Sequence, residues 1–162
     1  VNGRQQIAEH RARIDAAFGR ANALQSAADP ETNADFAKYL CVLVSGFLER
    51  AVSESVQEHA RKRSAPTLQR FVENNTWGFT NVKCEKLKNL LGSFDPNWRL
   101  QLDALLVDEV KDAIDSLVAN RHLITHGGSV GLTYVRVKEY YKHVREVVEV
   151  VLNLCDPPTA QT

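Results

Sequence analysis

Apolar residues recur every three or four positions along most of this chain, the spacing that lays one face of an α-helix against a core. The strongest stretch lies near the C terminus, where Val137, Tyr140, Tyr141, Val144, Val147, Val148 and Val151 keep helical register over residues 134–155. Its many β-branched residues leave an extended conformation open over 132–137. A second long stretch is expected from Thr32, a residue type that suits an N-cap, to Arg63. It carries Phe36, Leu40, Leu43, Phe47 and Ala51 on one stripe and Val42, Val52 and Val56 on another. Its middle is apolar on all sides, which predicts a central helix.

The remaining segments are weaker or shorter. Residues 4–27 spread Ile7, Ile14, Phe18 and Leu24 among charges, predicting a helix on the outside of the domain that stops before Asp29-Pro30. Short helices are expected over 66–74, 81–91 and 98–105, with Asn75 to Phe79 as a connection and Pro96 in a first turn. A longer one, over 108–126, carries Val110, Ile114, Leu117, Arg121 and Ile124 and stops at Gly127-Gly128. The predicted fold is therefore all-α. It is a single domain of about five to seven helices with its core over about 34–155, a peripheral helix in 1–30 and a flexible tail over 156–162.

Composition narrows the classes. With 162 residues, 44% apolar and 25% charged, the chain matches one ordinary soluble domain that folds without metal or disulfide staples. Twenty Lys and Arg balance twenty Asp and Glu, which removes the basic footprint of a general duplex-DNA binder and makes any nucleic-acid contact local. The longest near-continuous apolar run, Tyr39 to Leu48, is about half of the roughly 20 residues a membrane span needs, so no membrane partner is expected. Cys41, Cys84 and Cys155 are too far apart for a CxxC motif, and Val1 to Arg4 offers no apolar leader, so a reducing cytoplasm is the expected compartment. Cys41 and Cys155 read as core packing, and Cys84 as an ordinary thiol. A chain that opens on Val1 and holds no Met fits a piece of a longer protein as well as an alternative start.

Polar chemistry is concentrated in Asn120-Arg121-His122-Leu123-Ile124-Thr125-His126-Gly127. Arginine presents a planar fork of donors matched to phosphate oxygens, and histidine can exchange a proton near neutral pH. At 100° per residue, however, Arg121 and His126 stand about 140° apart on an undistorted helix. They converge only if the last turn unwinds at Gly127 or if a second subunit contributes its copy.

His122 and His126 share one helical face, as zinc-binding pairs do, but no third ligand lies nearby and no glutamate follows His122. Neither a metal nor a cofactor is expected. His10, His59 and His143 sit on charged stretches and read as surface residues. Arg61, Lys62 and Arg63 form one basic cluster, Lys83, Lys86 and Lys88 another, with Trp77, Phe79 and Trp98 between or near them. Such a combination attracts phosphates and stacks bases of a single strand. The absence of GxxxxGK[ST] and GxGxxG argues against common nucleotide-hydrolase and dinucleotide folds.

The motif Arg121-His122-Leu123-Ile124-Thr125-His126, near the end of a helix in a small all-helical domain, resembles the HEPN superfamily. The long apolar helix with Phe47-Leu48-Glu49-Arg50 before it and the Tyr- and Val-rich helix after it resemble the RiboL-PSP-HEPN branch, over about 34–155. The resemblance implies a metal-independent endoribonuclease acting as a homodimer on RNA, a toxin or defence effector with an inhibitory antitoxin or larger effector as further partner. It implies catalytic roles for Arg121, on the charge developing at the phosphate, and for His126, as general base or acid. His122 would position phosphate or orient its neighbours, with Asn120 beside it in support, and Glu49 would tune His126 or steady Arg121. The competing expectation is a HEPN-like helical module that binds a protein partner or nucleotide without cleaving it.

Overall fold

The computed structural model describes residues 2–158. Among them run α1 (Gly3–Leu24), α2 (Pro30–Arg63), α3 (Pro66–Thr76), α4 (Cys84–Phe94), α5 (Pro96–Leu105), α6 (Asp108–Thr125) and α7 (Tyr134–Cys155), with no strand. The all-α expectation holds, and the 134–155 segment is helical from its first residue despite its valines. Magnitudes explain this: burying a valine contributes on the order of 1.5–3 kcal/mol, against a helix propensity cost of at most about 0.7 kcal/mol. Val137, Val144, Val147 and Val151 are all buried.

Helix α2 is the axis of the bundle. Its 34 residues span about 50 Å, and α1, α3, α6 and α7 all pack against it, while α4 and α5 pair with each other. Leu40, Val44, Phe47, Leu48, Val52 and Val56 are among its fully buried core positions. The helix starts earlier than Thr32. Asp29, in extended backbone, accepts from the Thr32 N–H at 2.9 Å and from its hydroxyl at 2.8 Å, so Asp29 is the N-cap. Pro30 then fills the first turn, where its missing N–H costs nothing.

The helix expected on the outside contributes to the core. Ile7, Ile14, Ala17, Phe18 and Ala21 of α1 are buried against α2 and α7, and Phe18 stacks on Tyr141 with ring centroids 4.9 Å apart. Alanines complete a stripe that looks thin when only large apolar residues are weighed. The expected tail is also partly tied down at its first residue, since Asp156 pairs with Arg4 and Lys62. Residues 159–162 of that tail lie outside the described residues.

The third shift matters most for the site. The helix expected over 81–91 runs from Cys84 to Phe94, leaving Asn81 in the preceding loop with φ of 53°. Asparagine tolerates this left-handed conformation better than most residues. Asp115 of α6 caps α4 from outside, accepting from the Cys84 N–H at 2.9 Å. All three cysteines are buried and their thiols are pushed up to about 12 by burial, Cys84 included. The surface expectation for three histidines is also corrected. His59 Nδ1 lies 2.8 Å from the Cys155 carbonyl and its ring meets Trp98 edge-on. His10 meets Phe47 edge-on, and His143 is half-buried 3.5 Å from Glu146.

Candidate active site

The end of α6 is fixed by its glycines. Gly127 takes φ of 73°, its N–H reaching the Ile124 carbonyl at 3.2 Å, while the Gly128 N–H reaches Leu123 at 2.7 Å. This pair of bonds is a Schellman cap, and it requires a left-handed residue at Gly127. His126 stands at the last helical boundary, with its N–H still bonded to the His122 carbonyl at 3.2 Å. The Thr125 hydroxyl donates to that same carbonyl at 3.0 Å. The turn therefore remains wound through His126. Of the two routes by which Arg121 and His126 could share a phosphate, unwinding within one chain is not taken.

Both imidazoles are exposed and adjacent, with ring centroids 4.4 Å apart and planes tilted by 57°. Arg121 leaves the helix on another bearing. Its Nη1 donates to Asn81 Oδ1 at 3.4 Å, and the Asn81 N–H donates to Glu49 Oε1 at 2.8 Å. Glu49 thus steadies Arg121 through Asn81; no hydrogen bond joins it to His126 among the described residues. Asn81 also lines, with Lys83, Val118, Ala119, His122 and Leu123, a shallow cavity of about 440 Å³. It is the residue that sequence reasoning missed. The only signal for it was an asparagine at a helix boundary, where a left-handed turn is tolerated.

The other expected residues separate from this group. Asn120 donates back to the Ser116 carbonyl of its own helix at 2.9 Å, a bond that closes on α6 itself. Arg61 pairs with Glu58 at 2.9 Å and Glu54 at 3.7 Å, Lys62 with Asp156 at 2.9 Å and Glu58 at 3.4 Å, and Arg63 donates to the Cys155 carbonyl at 3.3 Å. These three lie about 18 Å or more along α2 from Glu49. In the second basic cluster Lys88 is buried against Asp103 at 3.0 Å, whereas Lys86 lies over the Phe79 ring and Lys83 is exposed. Trp77, four residues before Asn81, is 88% exposed. Among the described residues no group of three or more His, Cys, Asp or Glu side chains could hold a metal ion. No described helix is long and apolar enough to cross a membrane.

A family model described as RiboL-PSP-HEPN matches residues 10–156. The chain belongs to the RiboL-PSP-HEPN family. No curated protein and no solved structure matches it. The match takes in α2, the Asn81 loop, α6 and α7, so every residue of the Glu49, Asn81, Arg121, His122 and His126 group lies inside the HEPN domain.

Proposed function

We propose that this HEPN domain is a metal-independent endoribonuclease whose site is completed when two copies of the chain meet at the end of α6. The observation that carries the reading is the contrast within one helical turn. Arg121 is held by Asn81, itself fixed by Glu49, and among the described residues no carboxylate is in direct contact with it, so its guanidinium keeps donors free for a phosphate. Two exposed imidazoles follow it on the same helix, their ring centroids 4.4 Å apart and their planes tilted by 57°. Since α6 stays wound through His126, a second copy is the remaining way to set a histidine and Arg121 on opposite sides of one phosphorus. Leu123, 47% exposed between the two histidines in sequence, supplies apolar surface for such a contact.

The ribose 2′-oxygen attacks phosphorus while His126 of one copy accepts its proton; the bond to the 5′-oxygen breaks and His126 of the other copy protonates it. The products are a 2′,3′-cyclic phosphate and a 5′-hydroxyl, and DNA, lacking the 2′-hydroxyl, is not cut. Arg121 bears on the non-bridging oxygens as their charge rises. RNA approaches along Trp77, Lys86 and Lys83 rather than along Arg61, Lys62 and Arg63, whose charges are engaged within the chain. Toxin or defence roles, and an antitoxin or effector partner, would follow from this activity.

The test is incubation of the purified protein with mixed RNA in excess EDTA. Cleavage with cyclic-phosphate ends, lost in His126→Ala and Arg121→Ala while helicity is retained, supports the reading. Undiminished cleavage in both variants, or a strict monomer at working concentration, overturns it. A second reading, a non-cleaving module that docks a protein, is favoured by Leu68 and Phe71, both exposed on α3. An inert protein that binds one partner stoichiometrically through these two residues would establish it instead.

A further inference from the structure

Helices α1 and α7 run antiparallel. The Arg4 guanidinium donates to the Leu152 carbonyl at 3.3 Å, and the Tyr141 hydroxyl donates to Asp15 at 2.7 Å. Equal rise per residue on the two helices sets Arg11 opposite Arg145 between these points. Facing like charges repel, and the arrangement is favourable when an anion stands between them.

Among the described residues neither cation has a close carboxylate of its own. The Arg145 guanidinium lies 4.9 Å above the Tyr141 ring, its Nε is buried without a hydrogen-bond acceptor, and no carboxylate pairs with it among the described residues. A buried donor left unpaired costs on the order of 1–3 kcal/mol, so it needs an explanation. Among the described residues Arg11 reaches only Asp15, at 3.9 Å, and that carboxylate is already held by the Tyr141 hydroxyl. Arg4 differs, being engaged by Leu152, Asn153 and Asp156 at the groove's end.

Arg11 and Arg145 line a groove of about 490 Å³ whose apolar wall includes Ile7, Phe47, Val148 and Leu152. This volume falls within the range of small-molecule sites, roughly 300–1,000 Å³. An inorganic ion would leave the apolar wall unused, and Asp15 and Glu149 at the same groove disfavour a polyanion. We propose that the groove binds one small amphipathic anion, its carboxylate or phosphate head between Arg11 and Arg145 and its hydrocarbon or aromatic body against Ala8, Ala12 and Val148. The site is separate from the one at α6. Phe47 and Glu49 are two residues apart on α2, about 200° around the helix, so they serve opposite sides.

Isothermal titration of the full chain with octyl phosphate and with octanoate tests this. Inorganic phosphate serves as the head alone and octanol as the body alone. One amphiphile per chain is expected, with head and body alone each at least tenfold weaker; the tighter amphiphile identifies the head group. Arg145→Met keeps an apolar stem over Tyr141 and should weaken binding at least tenfold, as should Arg11→Met. Val148→Trp should fill the groove and abolish binding. Circular dichroism and the thermal midpoint verify that each variant is folded, and RNA cleavage should be unchanged in all of them. Equal affinity in Arg145→Met and the parent chain overturns the site, as does inorganic phosphate binding as tightly as octyl phosphate. Binding confined to an acidic decapeptide overturns it in favour of a protein partner.

Discussion

Two helices of this bundle end in basic residues, and the two ends have opposite fates. At the end of α2, Arg61, Lys62 and Arg63 each find a partner within the chain: Glu54 and Glu58, Asp156, and the Cys155 carbonyl. At the end of α6, Arg121 touches an amide, and two imidazoles face solvent. In sequence both look like cations complementing a helix dipole. What distinguishes them is the supply of carboxylates one turn back or across the interface. The first end is tied to the end of α7, while the second has no carboxylate partner for its arginine among the described residues.

The comparison breaks most sharply at His126. His126→Ala should lower RNA cleavage by about 10²–10⁴-fold, the range for losing a general acid or base. Arg121→Ala should cost about 10²–10³-fold, as for removal of a charge-stabilising donor. Both leave helicity intact, because neither side chain is part of the core. Arg61→Ala should leave the rate constant for cleavage unchanged, measured on the same RNA. A loss there matching that of Arg121→Ala would mean that the two helix ends act alike.

A smaller effect, about tenfold, is expected from Asn81→Ala. Asn81 holds Arg121 without standing where the phosphate would, so its loss frees the guanidinium to wander. Glu49→Gln should do less, since the amide oxygen can still accept the Asn81 N–H. The measurement that separates positioning from folding is guanidine rescue: added guanidinium should restore Arg121→Ala more fully than Asn81→Ala.

Much of this was legible in sequence. Helical periodicity predicted α2, α6 and α7 to within a few residues, and Gly127-Gly128 predicted the end of α6, because each rests on local chemistry. Asn81 was not legible, because its role depends on Glu49 and Arg121 being brought to it by tertiary packing from 32 and 40 residues away. The pairing of Arg61, Lys62 and Arg63 was hidden for the same reason: half of their partners lie in the last turn of α7 and just beyond it. The buried side of α1 was hidden because alanine carries little weight in a hydrophobic pattern yet packs well.

Asp115 sharpens the comparison through stability. It caps α4 and so fixes the loop that carries Asn81; burial alone would raise its carboxyl, but the Cys84 N–H and Lys111 outweigh that and hold it below its ordinary value. A lowered folded-state value means that the contribution is complete above the ordinary aspartate range, near pH 3.9, and is lost as pH falls through the lowered value. Asp115→Asn should therefore cost about 1 kcal/mol at neutral pH, and less in acid. Urea unfolding at two pH values measures it, and an equal loss at both would refute the charge assignment.

The smallest effect is expected at a lysine with two carboxylate partners. Lys62 bridges Asp156 and Glu58 at the exposed end of α2, and its hydrogen bond with Asp156 raises the lysine and lowers the carboxylate. The pair's contribution is present between the ordinary aspartate and lysine ranges, about pH 4 to 10. It is lost as pH falls through the depressed carboxyl value or rises through the elevated ammonium value. Exposed pairs are screened, so Lys62→Met should cost below about 1 kcal/mol, and the cost should shrink further in 1 M salt, where the Debye length falls to about 3 Å. Cleavage by this variant should match the parent at both salt concentrations once RNA binding is saturated. A stability loss that is large and insensitive to salt would instead make the end of α2 a packed structural joint in which lysine's hydrocarbon stem, rather than its charge, holds α7 in place.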